Sequence, residues 1–240
     1  LADQMITITA KDIDITWPTA SKASGTYGDK WSDIVKYSGG SAVLNGTNVD
    51  GTFAIKNASD VPDVSEHYQF VFKSTDGKYT VESPAYGAEL RKKALTITAA
   101  SASKRYDGTA LTKNEYTANG LVNNDTIDSV TVTGTVTNVA DTATNNTASN
   151  AVIKHGDAVK TANYDITYVP GTLTITKATL TIKAKDKTIT YGEEPANDGV
   201  TYTGLANGED GATVVTGLTY EYNYQQFGNV GEYVITPKGA

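Results

Sequence analysis

The 240-residue chain contains no cysteine. This excludes a disulfide framework, a thiol nucleophile, an iron–sulfur centre and any cysteine-ligated zinc. Histidine is nearly absent as well: His67 and His155 stand far apart in the chain and are read as surface or edge-strand residues. No Gly-x-Ser-x-Gly elbow and no phosphate-cradling P-loop is present, so no catalytic residue is nominated. Positive charge is in short supply, with 20 Lys and Arg against 27 Asp and Glu. The net charge of -7 divides as -2, -1 and -4 over residues 1–93, 94–177 and 178–240. No stretch carries the basic stripe that nucleic acid or an anionic membrane requires, so neither is expected as a partner. No apolar run approaches the ~20 residues of a membrane-spanning helix, and no membrane insertion is expected of this segment. Neither a cofactor nor a metal is expected. Asn48-Val49-Asp50-Gly51 and Asn197-Asp198-Gly199 offer oxygen ligands of the kind calcium takes. Both read as ordinary Asn/Asp-Gly turn chemistry instead. Paired acids at Glu193-Glu194 and Glu209-Asp210 lie in Gly/Asn-rich turns and read as solvated loop charge. The opening Leu1-Ala2-Asp3-Gln4 lacks an initiator Met or a leader, as expected of a mature or excised piece.

What is present is a repeat. Leu95-Thr96-Ile97-Thr98-Ala99 returns 85 positions later as Leu180-Thr181-Ile182-Lys183-Ala184, and Tyr106 maps onto Tyr191 at the same offset. At an offset of 84, Gly120-Leu121-Val122-Asn123-Asn124-Asp125 maps onto Gly204-Leu205-Ala206-Asn207-Gly208-Glu209. A third copy opens with Ile6-Thr7-Ile8-Thr9-Ala10 and continues to Tyr27-Gly28-Asp29, the counterpart of Tyr191-Gly192-Glu193. Internal periodicity of this kind outranks a length prior, so three modules are expected, over residues 1–93, 94–177 and 178–240. Their connectors are brief and carry no Gly/Ser or Pro-rich stretch, which predicts modules stacked semi-rigidly as an elongated rod.

Within modules the apolar residues recur every second position, the mark of half-buried strands. Val130, Val132 and Val136 alternate with threonines; Tyr68, Phe70 and Phe72 share one face; Leu218, Tyr220, Tyr222 and Tyr224 share another. Tyr164–Tyr168, Pro170-Gly171 and Leu173–Thr176 read as strand, turn and strand, a hairpin closing the second module. Position 249 would be the counterpart of Tyr164, so the third module is expected to lack that hairpin and to be the least stable part. The parity of apolar residues flips after Ala10 and after Ala184, which predicts a bulge or a strand crossing between sheets. Trp17 and Trp31 are assigned to the first module's core. Residues 29–35 and 205–215 have room for a turn or two of helix, and 140–151, polar and small, reads as an exposed loop or hairpin tip.

Several of these residues carry a family resemblance. Arg105-Tyr106-Asp107-Gly108-Thr109, Gly120-Leu121 with Asp125, and Asn163-Tyr164-Asp165-Ile166-Thr167 resemble the YDG-type repeat of bacterial surface proteins. Residues 178–240, with Thr190-Tyr191-Gly192 and Tyr202-Thr203-Gly204-Leu205, resemble the related MBG-type repeat. Residues 1–93 are similar to other bacterial Ig-like modules. The resemblance implies an all-β array of tandem Ig-like β-sandwich or β-grasp-like modules. It further implies a cell-surface or secreted, extracellular bacterial adhesin in which such a region is a non-enzymatic stalk whose partners are the neighbouring modules of the chain. The other reading is a module that binds a host glycan or surface protein through exposed tyrosines, with Tyr220, Tyr222 and Tyr224 as its binding residues.

Overall fold

The computed structural model describes residues 12–141 and 144–239. The opening repeat copy at Ile6–Ala10, and with it the first parity flip, lies outside the described residues. The fold is all-β. Contacts group the chain into two compact units: residues up to Thr98 with Thr117–Thr131 and Ala148–Val169, and Ala99–Tyr116 with Val132–Thr147 and the residues from Pro170 onward.

In the first unit, the alternation at Tyr68, Phe70 and Phe72 becomes a wall of the core. Strand Phe70–Ser74 lies between Gly51–Ile55 and Thr80–Glu82, both antiparallel to it. Phe70 and Phe72 are each 1% exposed. They belong to an aromatic cluster in which Tyr68 and Phe70 meet edge to face at 5.6 Å and Tyr37 and Phe70 at 5.0 Å. Trp31 is buried against Ile34, Val35 and Ile55, and Trp17 packs on the same cluster half-buried, as the sequence leads one to expect. Aromatic rings bury large apolar areas with few torsions to fix, which suits them to a core with no cross-link. The expected helical turn in 29–35 is the single turn Trp31–Ile34. Its counterpart in 205–215 is Gly211–Val214, where the Asp210 carboxylate accepts from Ala212 N–H as an N-cap.

The strand–turn–strand over 164–176 is present, but it is no hairpin. Strand Tyr164–Val169 pairs parallel with Lys93–Ala99, whereas Gly171–Thr176 joins a different sheet, parallel to Ala102–Arg105 and antiparallel to Thr144–Asn146. Both segments therefore change sheet, at 99–102 and at 169–171, where no parity flip was read; after Ala184, where one was read, the strand ends instead. Gly171 makes the crossing possible: a Cβ there would lie 2.3 Å from the Ala100 carbonyl oxygen, a distance no side chain tolerates.

Residues 140–151 also differ from expectation. Thr144–His155 is a twelve-residue strand. Of its inward positions only Ile153 is a large apolar residue, the others being small or polar, so no apolar alternation announced it. Asn146 is fully buried, and its amide donates to the carbonyl oxygens of Ala100 at 2.8 Å and Lys113 at 2.6 Å. Ala148 is buried on one parity, Ala151 and Ile153 on the other. Between them Asn150 adopts φ 52°, a left-handed residue that resets the register as a bulge does.

From Thr181 onward the sheets are two-stranded: Thr181–Ala184 pairs antiparallel with Val200–Thr203, and Thr219–Tyr222 with Ile235–Lys238. Among the described residues from Lys177 on, Gly211 alone is fully buried, beneath the Tyr202 ring.

Candidate functional site

The residues that converge most tightly are two tyrosine–carboxylate pairs, called seams below, one inside each compact unit, and the strand order puts them there. In residues 12–93 the strand Thr19–Thr26 runs parallel to the last strand, Glu89–Arg91, with Thr26 opposite Arg91. In the next copy Ala102–Arg105 runs parallel to Gly171–Thr176, with Arg105 opposite Thr176. In each copy the residue that follows is tyrosine, and its N–H bonds the last strand's end: Tyr27 to Arg91 O at 2.9 Å, Tyr106 to Thr176 O at 2.8 Å. Parallel pairing of an early strand with the last strand thus delivers a tyrosine to the point where the chain leaves for the next repeat.

The next repeat presents a carboxylate. Gly120–Asp125 and Gly204–Glu209 form the same loop, closed by Asp125 N–H to Val122 O at 2.9 Å and by Glu209 N–H to Ala206 O at 3.1 Å. Each opens on a glycine of positive φ, 118° at Gly120 and 99° at Gly204. A Cβ on either would lie 2.3 Å from a carbonyl oxygen, Ala94 O and Thr179 O respectively, so the loop lies directly on its own first strand.

At the first seam the Tyr27 hydroxyl donates to Asp125 Oδ2 at 2.8 Å, and the Tyr164 hydroxyl donates to the same oxygen at 2.8 Å. His155 Nδ1 lies 3.1 Å from Asp125 Oδ1. The two tyrosine rings meet edge to face at 5.3 Å. The Asp125 side chain is 0% exposed. Burial, together with the hydrogen bond to Asp125, pushes the Tyr27 phenol up to about 12, and burial raises Tyr164 as well. Both phenols therefore stay neutral donors at any physiological pH. A second contact lies alongside: Lys160 Nζ reaches both Asp63 oxygens at 2.8 and 2.9 Å, and Asn163 donates to Asp63 Oδ1 at 2.6 Å and accepts from Val64 N–H at 3.0 Å.

The second seam repeats the first in outline. The Tyr106 hydroxyl donates to Glu209 Oε1 at 2.8 Å, while Glu209 Oε2 accepts from Ala206 N–H at 3.0 Å. The bond to Glu209, ahead of burial, raises the Tyr106 pKa. Beside it Asp107 is held down near 2 by the Lys104 ammonium and the Thr109 N–H and hydroxyl, which lock the turn carrying Tyr106.

Both phenols at Asp125 are protonated and both bonds end on one oxygen, which fixes the two rings in position. Glu209 is corrected by this geometry: expected as solvated loop charge, it is a seam ligand because Tyr106 and Ala206 N–H both point at it. His155 ends an interior strand, where it pairs with Ala158, rather than an edge strand; its side chain is 46% exposed and faces Asp125. His67 is exposed. Glu193 caps the turn at Thr190–Glu193, accepting from Thr190 N–H at 2.6 Å. At the two oxygen-rich turns, Asn197 Oδ1 accepts from Gly199 N–H and Asp198 pairs with Lys187, while Asn48 ends a two-residue strand. No three His, Asp or Glu side chains gather as metal ligands among the described residues.

Tyr220, Tyr222 and Tyr224 are half-buried on one face, with the residues between them exposed. Tyr222 and Tyr224 line a groove of about 690 Å³ with Tyr191 and Tyr233, and Tyr220 does not reach it. Asn197 donates to the Tyr222 hydroxyl at 2.6 Å, and the Tyr224 and Tyr233 rings meet at 5.0 Å.

Repeated sheets that present the same loop and the same tyrosine to one another define a class of tandem β-repeat proteins. The comparison with known families agrees: the family described as MBG domain (YGX type) matches residues 95–174 and again 180–240. The chain belongs to that family, and one family model matches it at two consecutive segments. Neither a curated protein nor a solved structure matches the chain.

Proposed function

We propose that the chain is a non-enzymatic stalk region of a bacterial cell-surface or secreted adhesin, built of modules at 1–93, 94–177 and 178–240 and exposed outside the cell. The observation that carries this reading is the recurrence of one seam. Tyr27 with Asp125, and Tyr106 with Glu209, join residues 98 and 103 positions apart by the same donor and the same acceptor type. A contact that recurs from copy to copy and is made wholly within the chain supports a spacing role. Membership of a repeat family without catalytic residues supports the same reading. The test is substitution in the parent adhesin. Replacing 94–240 with unrelated β repeats of equal length should preserve adhesion of intact cells. Adhesion that is lost and not restored by equal spacing would refute the stalk.

A second reading is supported by the groove at Tyr222, Tyr224 and Tyr233, whose rings suit stacking on sugar or contact with a host surface protein. A glycan and mucin array probed with the chain and with Tyr222→Ala decides it. Binding that the substitution abolishes favours this reading, and no binding refutes it.

A further inference from the structure

The third copy carries the donor half of the same seam, covered in part by its own chain: Gln226 donates to Gly192 O at 2.9 Å, the Tyr224 hydroxyl to Glu193 O at 3.3 Å, and Phe227 stands over Gly192 as Val122 stands over Gly28. Thr190-Tyr191-Gly192-Glu193 forms the turn of Thr26-Tyr27-Gly28-Asp29 bond for bond. Thr26 N–H reaches Asp29 Oδ2 at 2.9 Å, and Thr190 N–H reaches Glu193 Oε2 at 2.6 Å. Asp29 N–H returns to Thr26 O at 3.0 Å, and Glu193 N–H to Thr190 O at 3.1 Å. Gly28 and Gly192 share positive φ, 106° and 91°. The difference is in what covers the tyrosine. Tyr27 is 3% exposed, and its hydroxyl and N–H are both bonded. Tyr191 is 65% exposed, leans on an exposed Phe227 at 6.4 Å, and has no hydrogen-bond partner for hydroxyl or N–H among the described residues.

We infer that the Thr190–Glu193 turn is the receiving half of a third seam, and that its occupant is the Gly-Leu-x-x-x-acid loop of a further MBG repeat placed in tandem. The inference rests on reading the chain as a repeat array. A turn already held by its own acid side chain loses little entropy on docking, and only the exposed Phe227 must turn aside from Gly192 to admit the loop. The incoming loop would supply a carboxylate to the Tyr191 hydroxyl, as Asp125 does for Tyr27. The strand that leads into that repeat would supply a carbonyl to Tyr191 N–H, as Arg91 and Thr176 do in the two closed seams. A second copy of this chain is a poorer occupant, because both acidic loops it displays, at Asp125 and Glu209, are already held by its own tyrosines.

Val234-Ile235 aligns with Val152-Ile153, which places Ala240 level with Ala158. Fusing residues 159–240 once more after Ala240 therefore continues the repeat in phase and adds one new acidic loop. Hydrogen exchange at Tyr191 and Glu193 amides is measured in the chain and in the fusion. The expected result is slowing by about tenfold or more in the fusion. Most of that gain should disappear with Tyr191→Phe, or with Glu209→Gln made in the added copy alone. Unchanged exchange overturns the inference, as does a gain indifferent to both substitutions. Protection that appears on concentrating the unfused chain would overturn the tandem occupant in favour of a second copy. Tyr27→Phe in the same fusion separates the two levels. If it loosens the turn at 26–29 while the fusion leaves 190–193 unprotected, the array reading stands and only the third seam fails.

Discussion

Replacing Tyr27 by Phe removes one hydroxyl from a carboxylate that is wholly out of water. The ring stays, with its edge-to-face contact on Tyr164, so packing changes little. A hydrogen bond to a charged group is worth ~1.5–3 kcal/mol, and its loss leaves Asp125 Oδ2 with Tyr164 as a single donor. We expect a cost of about 2 kcal/mol. Tyr37→Phe is the internal comparison: its hydroxyl donates at 3.0 Å to the neutral Phe53 carbonyl in the same unit, a bond worth ~0.5–1.5 kcal/mol. Trp17 and Trp31 are the chain's only tryptophans, so fluorescence during urea unfolding reports this unit alone. With a slope of ~1–2 kcal/mol/M for a unit of this size, Tyr27→Phe should lower the midpoint by about 1–2 M and Tyr37→Phe by about half that. If Tyr37→Phe costs as much as Tyr27→Phe, the buried carboxylate is not what gives the first seam its strength.

Three further outcomes are expected. The Tyr27 phenol ionises near 10 once unfolded but only near 12 when folded, so its contribution is complete below pH 10 and is lost as pH rises toward 12. Melting temperature of the first unit should fall across that window, and Tyr27→Phe should flatten the fall; an identical fall in the variant would refute this. Asn146→Ala leaves the part-buried Ala100 and Lys113 carbonyls without this donor and should cost about 1–3 kcal/mol in denaturant melts followed by circular dichroism. A change within ~0.5 kcal/mol would show that the crossing does not depend on the amide. Amide exchange should be fastest over 181–238, where no described apolar side chain is fully buried. Protection equal to that of 95–175 would contradict it.

Much of this was legible in one dimension. The wall at Tyr68, Phe70 and Phe72 announced itself because a strand with one dry face must alternate. Trp17 and Trp31 were placed in the core by bulk and apolarity. The repeat offsets matched Tyr106 with Tyr191 and Asp125 with Glu209 correctly. Other features were hidden for identifiable reasons. Strand Thr144–His155 escaped because Asn146 and Ala148 fill its inward positions and Asn150 shifts the register halfway. The supposed closing hairpin at 164–176 failed because strand partners are chosen across the sheet, and Pro170-Gly171 serves a crossing as readily as a turn.

Sequence by itself determined that this is a cysteine-free, acidic, all-β chain of repeated units, since period, composition and repeat offset are local properties that survive projection onto a line. What the tertiary structure alone decided is which repeated residues meet. Parallel pairing of an early strand with the last strand carries Tyr27 and Tyr106 to the exit of one copy, where the acid of the next copy, 98 and 103 residues away, is waiting. Nothing local couples residues at that separation. A phenol and a carboxylate meet because the intervening strands close on each other, and burial then turns an ordinary hydrogen bond into the pin between repeats.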